Sequence, residues 1–232
     1  MYNALGTSRI RLLRICFVQQ YGRRFLLLPL IVLPWLMYKF VLLLESGQLE
    51  FGPASAQNEI IGLPLCLLAL GLGVGIVARE IDARTLETAY SINNSARSLW
   101  LTKISAAVLL IVLAECLLAV LCHLVFTPFG FDVLYRAFQS ALFFLVLAMG
   151  LGALLRSELV AAILSIGIVV FFYNAFTNQY WSPLFNPLEL EAFGQGNIHA
   201  LMTQNFLLIV FLIFMILGLT LFRVERREVL LS

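Results

Sequence analysis

Long apolar runs and short polar breaks alternate down this chain. Phe25–Leu44, Ile60–Val77, Ile104–Val125, Phe138–Leu155, Leu159–Phe176 and Phe206–Phe222 are almost free of charge. Each falls within the roughly 17–25 residues that a helix needs to cross a hydrocarbon core of about 30 Å. The pattern predicts six transmembrane helices. The polar segments between them, of which 78–103 and 177–205 are the longest, are too short to build cores of their own. Residues 1–232 therefore read as a single all-α integral membrane domain. The composition agrees: 62% hydrophobic and 12% charged residues leave no room for a soluble domain beside six spans.

Charge then orients the pattern. With the N-terminus inside, Arg9, Arg11, Arg14, Arg23, Arg24, Arg79, Arg84, Arg97, Lys103, Arg156, Arg223, Arg226 and Arg227 all fall on one side, out of 15 Lys and Arg. The other side holds only Arg136, and Lys39 lies within the first span. An excess of Lys and Arg near span ends marks the cytoplasmic side, so both termini are expected inside. A basic surface at that face suits anionic lipid headgroups and requires no nucleic acid.

Local signals add detail. Residues 1–24 interleave Arg9, Arg11 and Arg14 with Ile10, Leu13 and Phe17, a spacing that predicts an amphipathic helix lying on the cytoplasmic face. The first outer loop, Glu45–Glu59, carries Gly47, Gly52 and Pro53 and no recognisable pattern. In the second span, Gly71 and Gly75 form a small-xxx-small face suited to close helix packing. The cytoplasmic connection Ala78–Lys103 turns at Asn93-Asn94-Ser95, with Ser95 a candidate N-cap, and its stretch Thr85–Ile92 has a short helical face of Leu86, Ala89 and Tyr90. The link Arg156–Glu158 is so short that spans four and five must form an antiparallel hairpin. The last outer loop, Thr177–Asn205, is aromatic, partly apolar and free of Lys and Arg. That composition suits short helices dipping into the outer leaflet, where backbone polar groups must find partners.

Catalytic signatures are absent. There is no GxxxxGK[ST], HExxH or GxSxG, so the chain has no ATP site of its own and no enzyme is expected. Of the cysteines Cys16, Cys66, Cys116 and Cys122, three sit in apolar runs and none forms a CxxC pair, which favours neither a metal nor a disulfide. His123, Tyr173 and Asn174 read as interfacial and structural. Two ionisable residues lie at depth. Glu115 is near the middle of the third span, where a carboxyl group is costly and is usually paired or functional. The leading reading is a neutral acid hydrogen-bonded inside the bundle. The others are a pair with Lys39, reachable only with the lysine stem extended downwards, and a contact with cargo or protons. Lys39 itself is close enough to the outer end to snorkel.

Four stretches give the chain a resemblance to type-2 ABC export permeases, the short six-span membrane subunits of bacterial ABC exporters. They are the basic amphipathic leader, Glu80 with Thr85-Leu86-Glu87 and Lys103, the outer Asn186-Pro187 with Phe193 and Gly194, and the basic tail from Phe222-Arg223 to Arg226-Arg227-Glu228. Arg84 stands where that family usually has Gly, and Asn93-Asn94 where it tends to have a proline. The resemblance implies a coupling helix within Glu80–Tyr90, with Glu80, Asp82, Arg84, Thr85, Leu86, Glu87 and Tyr90 docking on a separate ATPase. It also implies re-entrant outer helices around Tyr180–Asn197, and a bacterial inner-membrane location. Two such permeases, identical or paralogous, would pair with two ATPase copies that carry ATP and Mg. No cofactor is expected on this chain. The alternatives are a haem-exporter-like membrane subunit of cytochrome c maturation and a non-ABC membrane assembly protein. Few polar groups line the spans, which favours an amphiphilic or apolar cargo.

Overall fold

The computed structural model describes residues 28–46, 52–82, 96–176, 179–192 and 198–225, and these are helical apart from short connections, with no strand. α1 is Leu28–Ser46. α2 begins at Pro53–Ser55, widens into a π-helix over Ala56–Gly62, and continues as a regular helix over Leu63–Asp82. α3 is Ala96–Val125, α4 Phe131–Leu155, α5 Glu158–Ala175, α6 the short Pro187–Ala192, and α7 Ile198–Glu225. The expected interfacial helix at 1–24 lies outside the described residues, as do Arg84, Thr85, Leu86, Glu87, Tyr90, Phe193 and Gly194.

Among the described residues, five helices are long and apolar enough to cross a membrane: Pro53–Ile81, Leu99–Val125, Phe131–Leu155, Glu158–Ala175 and Ile198–Val224. The fold thus fits a multi-pass membrane protein. The apolar run predicted at Phe25–Leu44 overlaps α1, whose described residues give an apolar stretch at Leu33–Leu42. α3, α4 and α7 each begin about two turns before the apolar runs that announce them. Hydropathy marks where a helix is apolar, whereas the helix itself continues through polar turns as long as its backbone bonds are made. The loop expected over Glu45–Glu59 is corrected on the same ground, because residues 53–59 are already helical.

α2 and α4 form the centre. They run in the same direction and touch backbone to backbone. A Cβ added at Gly73 would lie 2.3 Å from the Leu145 carbonyl oxygen, and one at Gly152 would lie 3.3 Å from the Val74 carbonyl and from Ala78 Cβ. This corrects the expected packing face: additions at Gly71 and Gly75 would meet nothing within 4 Å. All three glycines lie within one turn, and only the neighbour's position decides which of them is at the crossing. Ile61, Leu65, Leu72 and Ile76 of α2 join Ala141, Leu145 and Met149 of α4 in the core, with Trp100, Leu110 and Ile111 of α3.

α5 folds back on α4 through a two-residue link. Arg156 adopts the left-handed conformation (φ 56°) and its N–H caps the Gly152 carbonyl at 3.1 Å, while the Ser157 hydroxyl accepts the Val160 N–H. α5 and α7 cover the centre from outside. Their far sides expose Ile163, Val170, Phe171, Leu207, Phe211, Phe214 and Leu219. Such broad apolar faces suit lipid or another apolar helix and are foreign to a water-soluble surface.

Candidate functional site

Polar side chains gather at the two ends of the bundle. At one end, the chain leaves α5, turns through residues 179–186 and enters α6. Ser182, Leu184, Phe185, Asn186 and Pro187 are buried in this turn. A non-helical backbone inside a protein needs its carbonyls and amides satisfied. Side-chain amides and hydroxyls from other elements do this. Asn205 of α7 donates to the carbonyls of Tyr180 and Ser182, both at 2.8 Å. Gln57 of the π-helix donates to Phe185 O at 3.1 Å, and Ser140 of α4 donates to Pro183 O. Asn186 is the N-cap of α6: its side-chain oxygen accepts the Leu188 N–H at 3.2 Å, and its amide donates to Ala54 O at 2.9 Å. Pro187 follows at the first helical position, where its missing N–H costs nothing.

Beside this turn lies a recess of about 400 Å³, lined by Asn58, Glu59, Tyr173, Asn174, Ala175, Gln179 and Glu189. The π-helix shapes it. In this stretch the Leu63 N–H reaches back five residues to Asn58 O, and a Cβ on Gly62 would lie 2.3 Å from the Gln57 carbonyl oxygen. π-helices are short and rare, and they occur frequently at functional sites. Here the wide turn puts Asn58 and Glu59 on the recess wall. Glu59 forms an ion pair with Lys39 of α1, and its carbonyl accepts Trp35 Nε1–H at 2.9 Å. The Lys39 ammonium also lies 5.3 Å from the centre of the Trp35 ring, within cation–π range. Across the recess, one oxygen of Glu189 accepts from Asn58 (3.4 Å) and Asn186 (3.2 Å), both neutral amides. Among the described residues Glu189 has no cationic partner.

The pairing of Lys39 with Glu59 corrects the possible Lys39–Glu115 pair. Glu59, helical rather than in a loop, stands level with Lys39, so the lysine finds a carboxylate without reaching into the bundle. Glu115 is itself buried on α3, and its Oε1 makes no hydrogen bond among the described residues. Its neutral-acid reading therefore lacks a hydrogen-bond acceptor or donor opposite that oxygen. Arg136 Nε and Gln139 Nε2 on α4 are buried without hydrogen bonds in the same way.

The opposite end is held by charge. Glu80, near the end of α2, forms an ion pair with Lys103 of α3, whose side chain is only 6% exposed. The Lys103 ammonium also lies 4.7 Å from the centre of the Trp100 ring. Arg79 reaches Glu158 at the start of α5 (3.9 Å), and Arg223 of α7 donates to Ala153 O of α4 (3.3 Å). Of the residues expected at the docking segment, Glu80 is thus engaged within the chain. Asp82 ends α2, and the others lie outside the described residues. Of the outer motif, Asn186 and Pro187 cap α6 as described.

Gln57, Asn58 and Glu59 belong to no motif in the sequence, and Tyr173 and Asn174 read there as interfacial and structural. One signal was available: Trp35 and Lys39 are four residues apart on one helix face, which marks a polar neighbour for that face. Comparison with family models, with curated proteins and with solved structures gives no match.

Proposed function

We propose that this chain is the membrane-spanning permease subunit of an ABC exporter in a bacterial inner membrane. In this reading α1 is a sixth span, and both termini and the Glu80–Lys103 end face the cytosol. The segment holding Thr85, Leu86, Glu87 and Tyr90 docks on a separate ATPase subunit that carries ATP and Mg. Two permease copies, identical or paralogous, pair with two ATPases.

The observation that supports the reading most is the Glu80–Lys103 brace. Residues 83–95 join the end of α2 to the start of α3 in the chain, and the ion pair holds those two helices together near that junction. α2 is in turn keyed to α4 by Gly73 and Gly152. A force applied to the connection would move α2, α3 and α4 together, which is what transmission from a docked ATPase demands. Glu80 belongs to the brace in this account, and Leu86 and Tyr90 supply the apolar anchor.

The test is co-purification with a candidate ABC ATPase subunit produced together with this chain. Leu86→Asp should abolish it, since apolar anchors carry interface energy, whereas Glu87→Gln at the rim should weaken it only slightly. Unchanged capture and unchanged ATP hydrolysis with Leu86→Asp would reject the docking segment. In a cysteine-free background, single cysteines at Ser91 and Gln179 should react from opposite sides with an impermeant thiol reagent. Labelling of both from one side would reject the orientation.

A further inference from the structure

The recess between α2, α5 and α6 is unlike the rest of the molecule: it is open, polar and unequally charged. Two carboxylates, Glu59 and Glu189, stand on its wall, and one cation, Lys39, is bound to the first of them. Glu189 meets two neutral amides, those of Asn58 and Asn186. A carboxylate held by neutral donors retains acceptor capacity, because each of its oxygens offers about two lone-pair sites and, among the described residues, only Oε1 is in use. Around it stand the hydroxyl of Tyr173, the amides of Asn174 and Gln179, and the main chain at Ala175. These groups are short-range acceptors and donors with no further fixed charge.

We infer that this recess binds a primary ammonium group, with Glu189 as its counter-ion and Tyr173, Asn174 and Gln179 completing its hydrogen bonds. The chain already contains an example of the chemistry. Lys39 places such a group against Glu59 and over the Trp35 ring in the same region. An ammonium has three donors and no acceptor, which matches a wall rich in oxygen atoms. Charge-assisted bonds to a partly buried carboxylate are the strong kind. A metal ion fits less well, since no group of three or more His, Cys, Asp or Glu among the described residues could hold one. A soluble amine and an aminophospholipid headgroup both carry such an ammonium, and the recess lies at the end of the spans, within reach of either. The inference does not depend on an ATPase partner, and neither test decides the other.

The experiment uses the full chain, purified and placed in phosphatidylcholine nanodiscs. One arm adds ethanolamine, matched with NaCl at equal ionic strength to remove general salt effects. The other arm replaces part of the lipid by phosphatidylethanolamine. Thermal unfolding, followed by tryptophan fluorescence, reports binding as a rise in Tm. The wild-type chain should be stabilised in at least one arm, and which arm responds identifies the source of the ammonium. Glu189→Gln should need about tenfold more amine for the same rise, the loss expected for one charge-assisted bond. Lys39→Met should need about tenfold less, since it opens a second carboxylate to the ligand. Should Glu189→Gln not fold, the gain in Lys39→Met carries the test. An equal response in wild type, Glu189→Gln and Lys39→Met overturns the inference, and so does the absence of any response in both arms.

Discussion

At the recess end of the bundle the backbone leaves the helix and is held by neutral amides and hydroxyls; at the Lys103 end the helices run on and are held by ions. Asn186, Asn205, Gln57 and Ser140 each bond a main-chain carbonyl of another segment at the first end. Glu80, Lys103, Arg79 and Glu158 meet through charged heads at the second. The two devices differ in what they tolerate. Amide-to-carbonyl bonds fix a backbone path and are insensitive to salt. Ion pairs tie neighbouring helices side chain to side chain, so that the helices move together, and solvent screens those that are exposed. An end indifferent to salt and an end responsive to it follow from that division.

The largest effect should come from unpairing the buried ion pair. Lys103→Met leaves Glu80 charged against the core, and removing one partner of such a pair costs about 3 kcal/mol or more. The double variant Lys103→Met with Glu80→Gln should recover most of that loss. Thermal unfolding in detergent measures both, and a double variant no better than the single would show that lysine packing on Trp100, rather than charge, is what matters. Next comes Asn205→Leu, which strands the carbonyls of Tyr180 and Ser182 and should cost about 2 kcal/mol for two unmade bonds. Its destabilisation should be the same at low and high salt. A marked salt dependence would erase the contrast between the ends.

A smaller effect is expected from Gly62→Ala. The added methyl meets the Gln57 carbonyl, so the π-helix must adjust, at about 1 kcal/mol, the lower end for overpacking. The signature to look for is local: accelerated hydrogen exchange at residues 56–62, with α3 and α4 unchanged. Exchange that spreads through the whole protein would mean the π-turn is part of the core rather than a local device. The smallest effect concerns Glu115, which belongs to neither end. If it is a neutral acid, Glu115→Gln keeps shape and polarity and should shift stability by less than about 1 kcal/mol. Failure of that variant to accumulate as folded protein would show that a charge is needed there.

Helix positions were largely legible, because apolar runs of span length have few other uses. The site was legible only at its edges. Asn186-Pro187 stood out only as part of the outer motif of the resemblance, and in the structure it caps the start of α6. Glu59 was hidden because a polar triplet after Gly52-Pro53 reads as the end of a loop, and a π-helix has no periodicity of its own in seven residues. The glycine face was misassigned for a different reason. Spacing shows that small residues share a helix side, but Gly73 is selected by where Leu145 lies, which is tertiary information. Lys39 follows the same rule, since its partner depended on the level of an element that the sequence did not reveal as helical.

The wide turn at Ala56–Gly62 can also be regarded as a spare residue carried inside a helix. Excising one residue there would close the turn into an ordinary helix and turn the side chains within it relative to the bundle. Glu59 would then face away from Lys39, while Leu65, Leu72 and Gly73 kept their seats against α4. The polar wall and the packed shaft could in this way change independently during evolution. A single codon gained or lost would redirect the recess without disturbing the bundle that carries it.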